Sequence, residues 1–292
     1  MNDAINNRYE FAVLFDVKDG NPNGDPDSGN LPRLDSETGA GLVTHGCLKR
    51  KIRNYVQLSQ TDRRFNIFIQ ERIPLNPKIA EACRECGKDP YQKKNGGWDT
   101  TKSKGRSQAE IKEIQAWLCA NYYDIRTFGA VMSTGPNSGQ IRGPVQICDS
   151  RSIDRINLLE HTITRVTDVD KEEGEIGRRA TVPYGLYRVH GYISAPFAQK
   201  TGFSEEDLDL FWSALENMFE HDRSAARGEM AVQKLFVFRH DNPLGNAPAH
   251  RLFKLIQMKR KDKDRPPRDF DDSEILVDRN NMPNGVHLIE RL

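Results

Sequence analysis

Two groups of residues near the start of the chain have the types and spacing to do chemistry. The first is acidic. Asp16, Asp19, Asp25 and Asp27 crowd around the run Asn21-Pro22-Asn23-Gly24-Asp25-Pro26-Asp27. Carboxylates this close can hold a divalent metal for phosphodiester cleavage, which gives one reading: a metal-dependent endoribonuclease using Asp25 or Asp27. Asp, Asn, Pro and Gly are also the residues that build turns, and the acids have an ordinary use there. Asp19, Asn21, Asn23 and Gly24 follow the spacing of a calcium loop. The twelfth position, which needs a bidentate acid, is Asn30, and a strand rather than a helix precedes the loop. What remains is a stiff loop whose amides, with Asn21 and Asn23, can hydrogen-bond a phosphate or a sugar.

The second group is basic: Lys49-Arg50-Lys51-Ile52-Arg53, with no acid between Glu37 and Asp62. On a helix, Lys49 and Arg53 stand four apart and repel. Lys49, Arg50 and Arg53 share a face that is either solvated or matched to an anion from outside the helix. The missing acids favour an anion, and the backbone of an RNA strand is the expected one.

Other motifs carry less. Cys83-Arg84-Glu85-Cys86 is a single pair, where a structural zinc site needs a second; Cys119 and His161 qualify only if the fold brings them near. Gly135-Pro136-Asn137-Ser138-Gly139 lacks the Gly-Lys-Ser/Thr ending of a phosphate loop, though such a loop lets a backbone approach closely, and Arg142 follows it. The seven histidines are dispersed and no Ser/His/Asp order appears. No metal or other cofactor is expected.

The chain has 292 residues, with 43 Lys and Arg against 42 Asp and Glu. Net charge therefore does not announce a nucleic-acid partner, and the local clusters must carry that inference. A mean hydropathy of −0.71 points to long solvent-facing insertions. The absence of a long apolar run or an amino-terminal signal, with five scattered cysteines, predicts a reduced, cytoplasmic protein.

These groups need elements to hold them. Tyr9, Phe11, Val13, Phe15 and Val17 alternate and predict a strand over 9–17. Leu48, Ile52, Tyr55 and Val56 predict a helix over 42–59. Residues 60–120 read as an insertion closed by a helix over 107–121. Asp124 to Gly129, which contains Arg126, runs towards a strand at Val145 to Cys148. Residues 163–189 read as an extended hairpin, with arms Ile163 to Val169 and Thr181 to Val189. Its charged tip, Asp170 to Arg179, carries Lys171, Arg178 and Arg179. Ser204 and Asp207 form a capping box for a helix. Strands follow at Leu235 to Phe238 and Leu252 to Gln257, then a basic block to Arg268 and an acidic one to Glu274. Strand, helix, strand, strand, helix, strand is the split βαβ, ferredoxin-like order, in an α+β protein of one domain with insertions.

Phe11 to Asp16, the Asn21 to Pro26 loop, Leu48 to Tyr55, Asp124 to Gly129 and Gly143 to Gln146 together resemble the Cas seven family. They are most similar to the backbone subunit of the type I-C CRISPR surveillance complex, Cascade. The resemblance implies a modified ferredoxin-like, RNA-recognition (RRM-like) palm, with 60–120 as fingers and the 163–189 hairpin as a thumb. It implies a non-enzymatic subunit that stacks with its own copies along a CRISPR RNA, with every thumb displacing one base and the rest left to pair with target DNA. The Cas five, Cas eight and small subunits would be its other partners. The candidate RNA contacts are Asn21, Asn23, Lys49, Arg50, Arg53, Arg126, Arg142, Arg178 and Arg179.

Overall fold

The computed structural model describes residues 3–164 and 176–292. The chain opens with β1 (Tyr9–Gly20), which runs three residues past the expected strand. The loop after it folds into a small hairpin of β2 (Gly24–Asp25) and β3 (Leu31–Pro32), and β4 (Ala40–Val43) follows. Helix α1 (His45–Ser59) begins later than Leu42, which lies in β4. The delay has a local cause. Thr44 holds extended backbone and its hydroxyl accepts from the Cys47 N–H, a cap that fixes the helix start.

The 60–120 segment contains α2 (Leu75–Glu85), α3 (Thr100–Lys104) and α4 (Gln108–Asn121). It is more than a polar excursion, because Phe68, Ile79, Cys83, Ile114 and Leu118 form a buried cluster, separate from the sheet's, with Tyr122, Ile125, Met132 and Ile141. Helix α4 starts where expected, at a capping box between Ser107 and Glu110. Next come α5 (Tyr123–Phe128), the hairpin of β5 (Gly129–Met132) and β6 (Gly139–Arg142), and the strands β7 (Val145–Ile147), β8 (Ser150–Arg155) and β9 (Leu159–Thr164). The long β10 (Ile176–Ile193) follows, then α6 (Ala195–Thr201), α7 (Glu205–Asn217) and β11 (Glu229–His240). The chain finishes with α8 (Ala249–Phe253), the hairpin of β12 (Ile256–Arg260) and β13 (Ser273–Val277), and β14 (Val286–Glu290).

The main sheet has the order β14-β11-β1-β10-β8-β4, with β7 and β9 also paired to β10. Its ladders are antiparallel. β1 sits between β10 and β11 and is covered on both faces. Phe11, Val13, Phe15 and Val17 pack with α1 and α7, while Ala12 and Leu14 pack with Leu252, Phe253 and Ile256. Among the described residues, no helix is long and apolar enough to cross a membrane.

Two expectations are corrected. Leu252 to Gln257 is not one strand. Leu252 and Phe253 end the short helix α8, and pairing begins only at Ile256, so the apolar run is split between a helical turn and a strand. The hairpin register also differs. The first arm begins at Leu159, and Arg178 and Arg179 stand in the ladder opposite Thr162 and His161 rather than in the tip. Leu159 to Thr164 is rich enough in strand formers to pair, which brings Ile176 to Thr181 into the ladder. Residues 165–169 of the first arm and 170–175 of the tip, with Lys171, lie outside the described residues.

Gly191 faces Phe11 across the β1–β10 ladder, and a Cβ there would lie 2.0 Å from a ring carbon. Gly191→Ala is therefore expected to lower stability by about 1–3 kcal/mol, the range for overpacking a tight core. A denaturant titration checks this: the midpoint falls with the slope unchanged, whereas an unmoved midpoint would show that the ring can yield.

Candidate nucleic-acid interface

The loop after β1 is tied down at three points. Asn23 Oδ1 accepts from the Thr44 amide and hydroxyl, both at 3.0 Å, and so seats the loop on the start of α1. Asn21 Nδ2 donates to Asn30 O at 2.7 Å. The Asn21 amide donates to Ala226 O at 2.8 Å, joining the loop to the turn before β11. That last approach needs glycine, because a Cβ on Gly20 would lie 1.8 Å from Arg227 O. Asp25 serves the loop itself. It accepts from the Asp27 amide at 3.2 Å and pairs with Arg33 at 3.3 Å. Among the described residues no three His, Cys, Asp or Glu side chains converge as a metal site.

A cleft of about 580 Å³ opens between this loop, α1 and the 222–227 turn, lined by Asn21, Asn23, Arg50, Asn54 and Arg227 among others. Its charge is positive at the base. Asp222 is nearly buried and takes both Lys51 Nζ and Arg227 Nη1, the latter at 2.7 Å. One carboxylate there answers two cations. Arg50 reaches Glu71 at 2.5 Å, but both side chains are more than half exposed. Such surface pairs contribute at most about 1 kcal/mol, so a phosphate can displace Glu71. A second groove adjoins the first. Asn21, Asn30 and Ala226 line both, and Arg178 and Arg179 line its far side. The fold thus gathers Asn21, Asn23, Arg50, Arg178 and Arg179 around one loop.

The other expected contacts are elsewhere, and two of them are closed off. Arg53 Nε binds Asp124 Oδ2 at 2.7 Å, and the same carboxylate accepts from the Phe68 and Ile69 amides. Arg126 is 2% exposed. It meets both Asp207 oxygens, at 2.9 and 2.7 Å, and donates to Cys119 O at 2.6 Å. All three guanidinium nitrogens of Arg126 are spent inside the protein, and Arg53 is buried with its Nε on Asp124. The counter-charges that α1 lacks in sequence are thus largely supplied from within the chain, by Glu71, Asp124 and Asp222. Lys49 is the exception. No carboxylate among the described residues pairs with it, and its Nζ lies 5.0 Å from the centre of the Phe128 ring. Burial, and then Arg53, push its pKa down. Arg142 is exposed on β6, 4.5 Å from the Phe197 ring centre, and does not line the cleft.

Residues 7–278 match the sequence model of the family described as "CRISPR-associated protein Cas7". The chain belongs to that family. A Haloferax volcanii protein described as "CRISPR-associated protein Cas7" is 25% identical over 281 residues, covering 86% of this chain and 75% of its own. A chain in a solved structure described as "CRISPR RNA-guided surveillance complex, pre-nicking" shares the fold. Its TM-score is 0.51 at 15% identity, covering 83% of this chain and 81% of that one.

Within this Cas7-family chain the Asp124 to Gly129 motif turns out to be a packing device. Asp124 and Arg126 each clamp distant segments, and all of α5 is buried. Gly129 has φ 76°, and a Cβ there would lie 2.2 Å from Ile141 O. The Cys83–Cys86 pair belongs to the insertion: Cys83 and Cys119 sit in its apolar cluster, where burial pushes both thiols up, Cys119 to about 12. His161 is on the β9–β10 ribbon, bonded to Thr181. The Gly135 to Gly139 loop is held rather than loose, since Ser103 Oγ donates to Gly135 O and Gln115 Nε2 to Ser138 O, both at 2.7 Å. Sequence reasoning missed Asn54 and the 222–227 turn. The two arginines flanking Ser224-Ala225-Ala226 just before Gly228 were the available signal.

Proposed function

We propose that this chain is a non-enzymatic, CRISPR RNA-binding backbone subunit of a Cascade complex of the type I-C kind. It acts in the cytoplasm, stacks with its own copies along one guide RNA, and presents the guide for pairing with target DNA. Its other neighbours are the Cas five, Cas eight and small subunits. The observation that carries this reading is the shared loop: Asn21 to Asn30 lies between the Arg50 cleft and the Arg178–Arg179 groove, in a chain of the Cas7 family. Arginines bind phosphates without reading sequence. Asn21 lines both the cleft and the groove, where an amide side chain can meet a ribose 2′-hydroxyl.

The sheet order supports an RRM-like palm. Taking β1, β7, β10 and β11 as strands one to four gives the spatial order four, one, three, two, that of the split βαβ arrangement. The 60–120 segment with its separate core supplies the fingers, and the β9–β10 ribbon, with both arms running past the sheet, supplies the thumb. Near-neutral net charge suits a subunit that packs against copies of itself.

Purification of the native protein tests this. Small RNA and a large assembly are the expected companions, and a monomer free of RNA would overturn the reading. Asn caps a turn as Asp does, so Asp25→Asn with Asp27→Asn should keep the loop and leave interference against DNA largely intact. Complete loss of interference with guide binding preserved would favour the endoribonuclease reading.

A further inference from the structure

The sheet has a further cationic groove, on the face away from α1. Its walls are β8 and β10 on one side and α8 with β12 on the other, and it encloses about 1030 Å³. Ile153, Tyr192 and Met258 of this groove pack with the cluster beneath Ala12 and Leu14, whereas α1 packs on the opposite cluster. The guide cleft and this groove are therefore on different faces.

Part of the charge in the groove, that of Arg188, is uncompensated. Arg188 stands directly opposite Arg151 in the β10–β8 ladder, an arrangement that repels. Arg151 is relieved by Asp35, at 2.6 Å. Arg188 has no such relief, because no carboxylate among the described residues pairs with it, and burial pushes its pKa down. A partly buried guanidinium without a counter-ion is unfavourable until an anion arrives. The groove itself does not provide one. Its single carboxylate, Asp149, is held by the His45 amide and ring, both at 2.7 Å, while Lys254 and Lys259 are exposed on the far wall.

The floor between these cations is aromatic and apolar. His190, two residues along β10 from Arg188, stacks on Phe253 with ring centres 3.8 Å apart and planes within 3°. Burial, and then Arg188, lower its pKa to about 4, so the ring is neutral at physiological pH. Its Nε2 is buried and has no partner among the described residues. An acidic peptide would satisfy the cations, but its carboxylates bring no flat apolar face to the His190–Phe253 floor. A nucleotide supplies a phosphate, an apolar base face and base-edge polar atoms together, which is how single strands are held without sequence preference.

We propose that this groove binds single-stranded nucleic acid, with Arg188, Lys254 and Lys259 on the phosphates and the base against the His190–Phe253 floor. The site goes beyond the guide-binding reading and stands whether or not that reading holds.

The test uses the full chain as purified, with any RNA it carries, and a fluorescent oligothymidylate of about 15 nucleotides, near the upper site size for such grooves. Some thymines are replaced by photo-crosslinkable 5-iodouracil. Crosslinks are expected in peptides 188–192 and 250–259. Arg188→Gln with Lys254→Ala should weaken binding about tenfold and reduce the salt slope by about 1.4, the value for two lost phosphate contacts on a single strand. Lys254→Glu with Lys259→Gln, both at exposed positions, should act in the same direction; Gln is used at 259 because Glu274 stands opposite it in the β12–β13 ladder, and a like charge there would strain the hairpin. Crosslinks confined to residues 21–54, or unchanged affinity in both double variants, would overturn the proposal. Equal competition by polyglutamate of matched charge would also overturn it and assign the groove to an acidic protein partner.

Discussion

Replacing Arg126 by Ala removes the cation that meets both oxygens of the buried Asp207 carboxylate, and the protein is expected to lose about 3–5 kcal/mol of stability, the usual result of breaking a buried pair. Asp207 would keep the Ser204 amide and hydroxyl but little charge compensation, since Arg64 reaches it only at 3.4 Å. The Cys119 carbonyl would lose its donor as well. Arg126 therefore joins α5, the end of α4 and the cap of α7. Against a total of about 5–15 kcal/mol for a typical domain, such a loss puts folding at physiological temperature at risk. Chemical denaturation should show a much lower midpoint, and RNA bound per folded molecule should not change. A variant of normal stability that binds less RNA would mean that Arg126 faces the ligand after all.

The second large effect is on binding. Arg50→Ala, Arg178→Ala and Arg179→Ala together should weaken guide binding by at least about a hundredfold, with the salt slope falling by about 2, for three phosphate contacts to a single strand. Arg53→Ala is the control within the same basic helix. It should lower stability, because Asp124 loses its cation while still holding the Phe68 and Ile69 amides, and it should leave the salt slope unchanged. Salt titrations of RNA affinity, read beside denaturation midpoints, separate the two classes. If Arg53→Ala changed the slope as much as Arg50→Ala does, the division between structural and ligand-facing arginines would be wrong.

That division marks the limit of the sequence. The alternation of Tyr9 to Val17 named the central strand, and the Ser204–Asp207 box started α7 where expected, because period and caps are properties of adjacent residues. The Asn21 to Asp27 run announced a rigid loop for the same reason. The loop and the basic helix also carry the resemblance to the family whose model residues 7–278 match.

What only the tertiary structure decided was the fate of each charge. Lys49, Arg50, Lys51 and Arg53 look alike in a helix free of acids. Yet Arg50 meets an acid 21 residues away, Arg53 one 71 away and Lys51 one 171 away, and Lys49 meets none among the described residues. Arg126 sits in a helix of six residues, too short for a periodic pattern to tell its inward side from its outward one. Electrostatic pairing depends on distance in space and on exclusion of water, neither of which is written in the spacing of neighbours. Local order was therefore legible in the sequence, while the choice between an arginine that holds the fold and one that can hold a phosphate was made by folding.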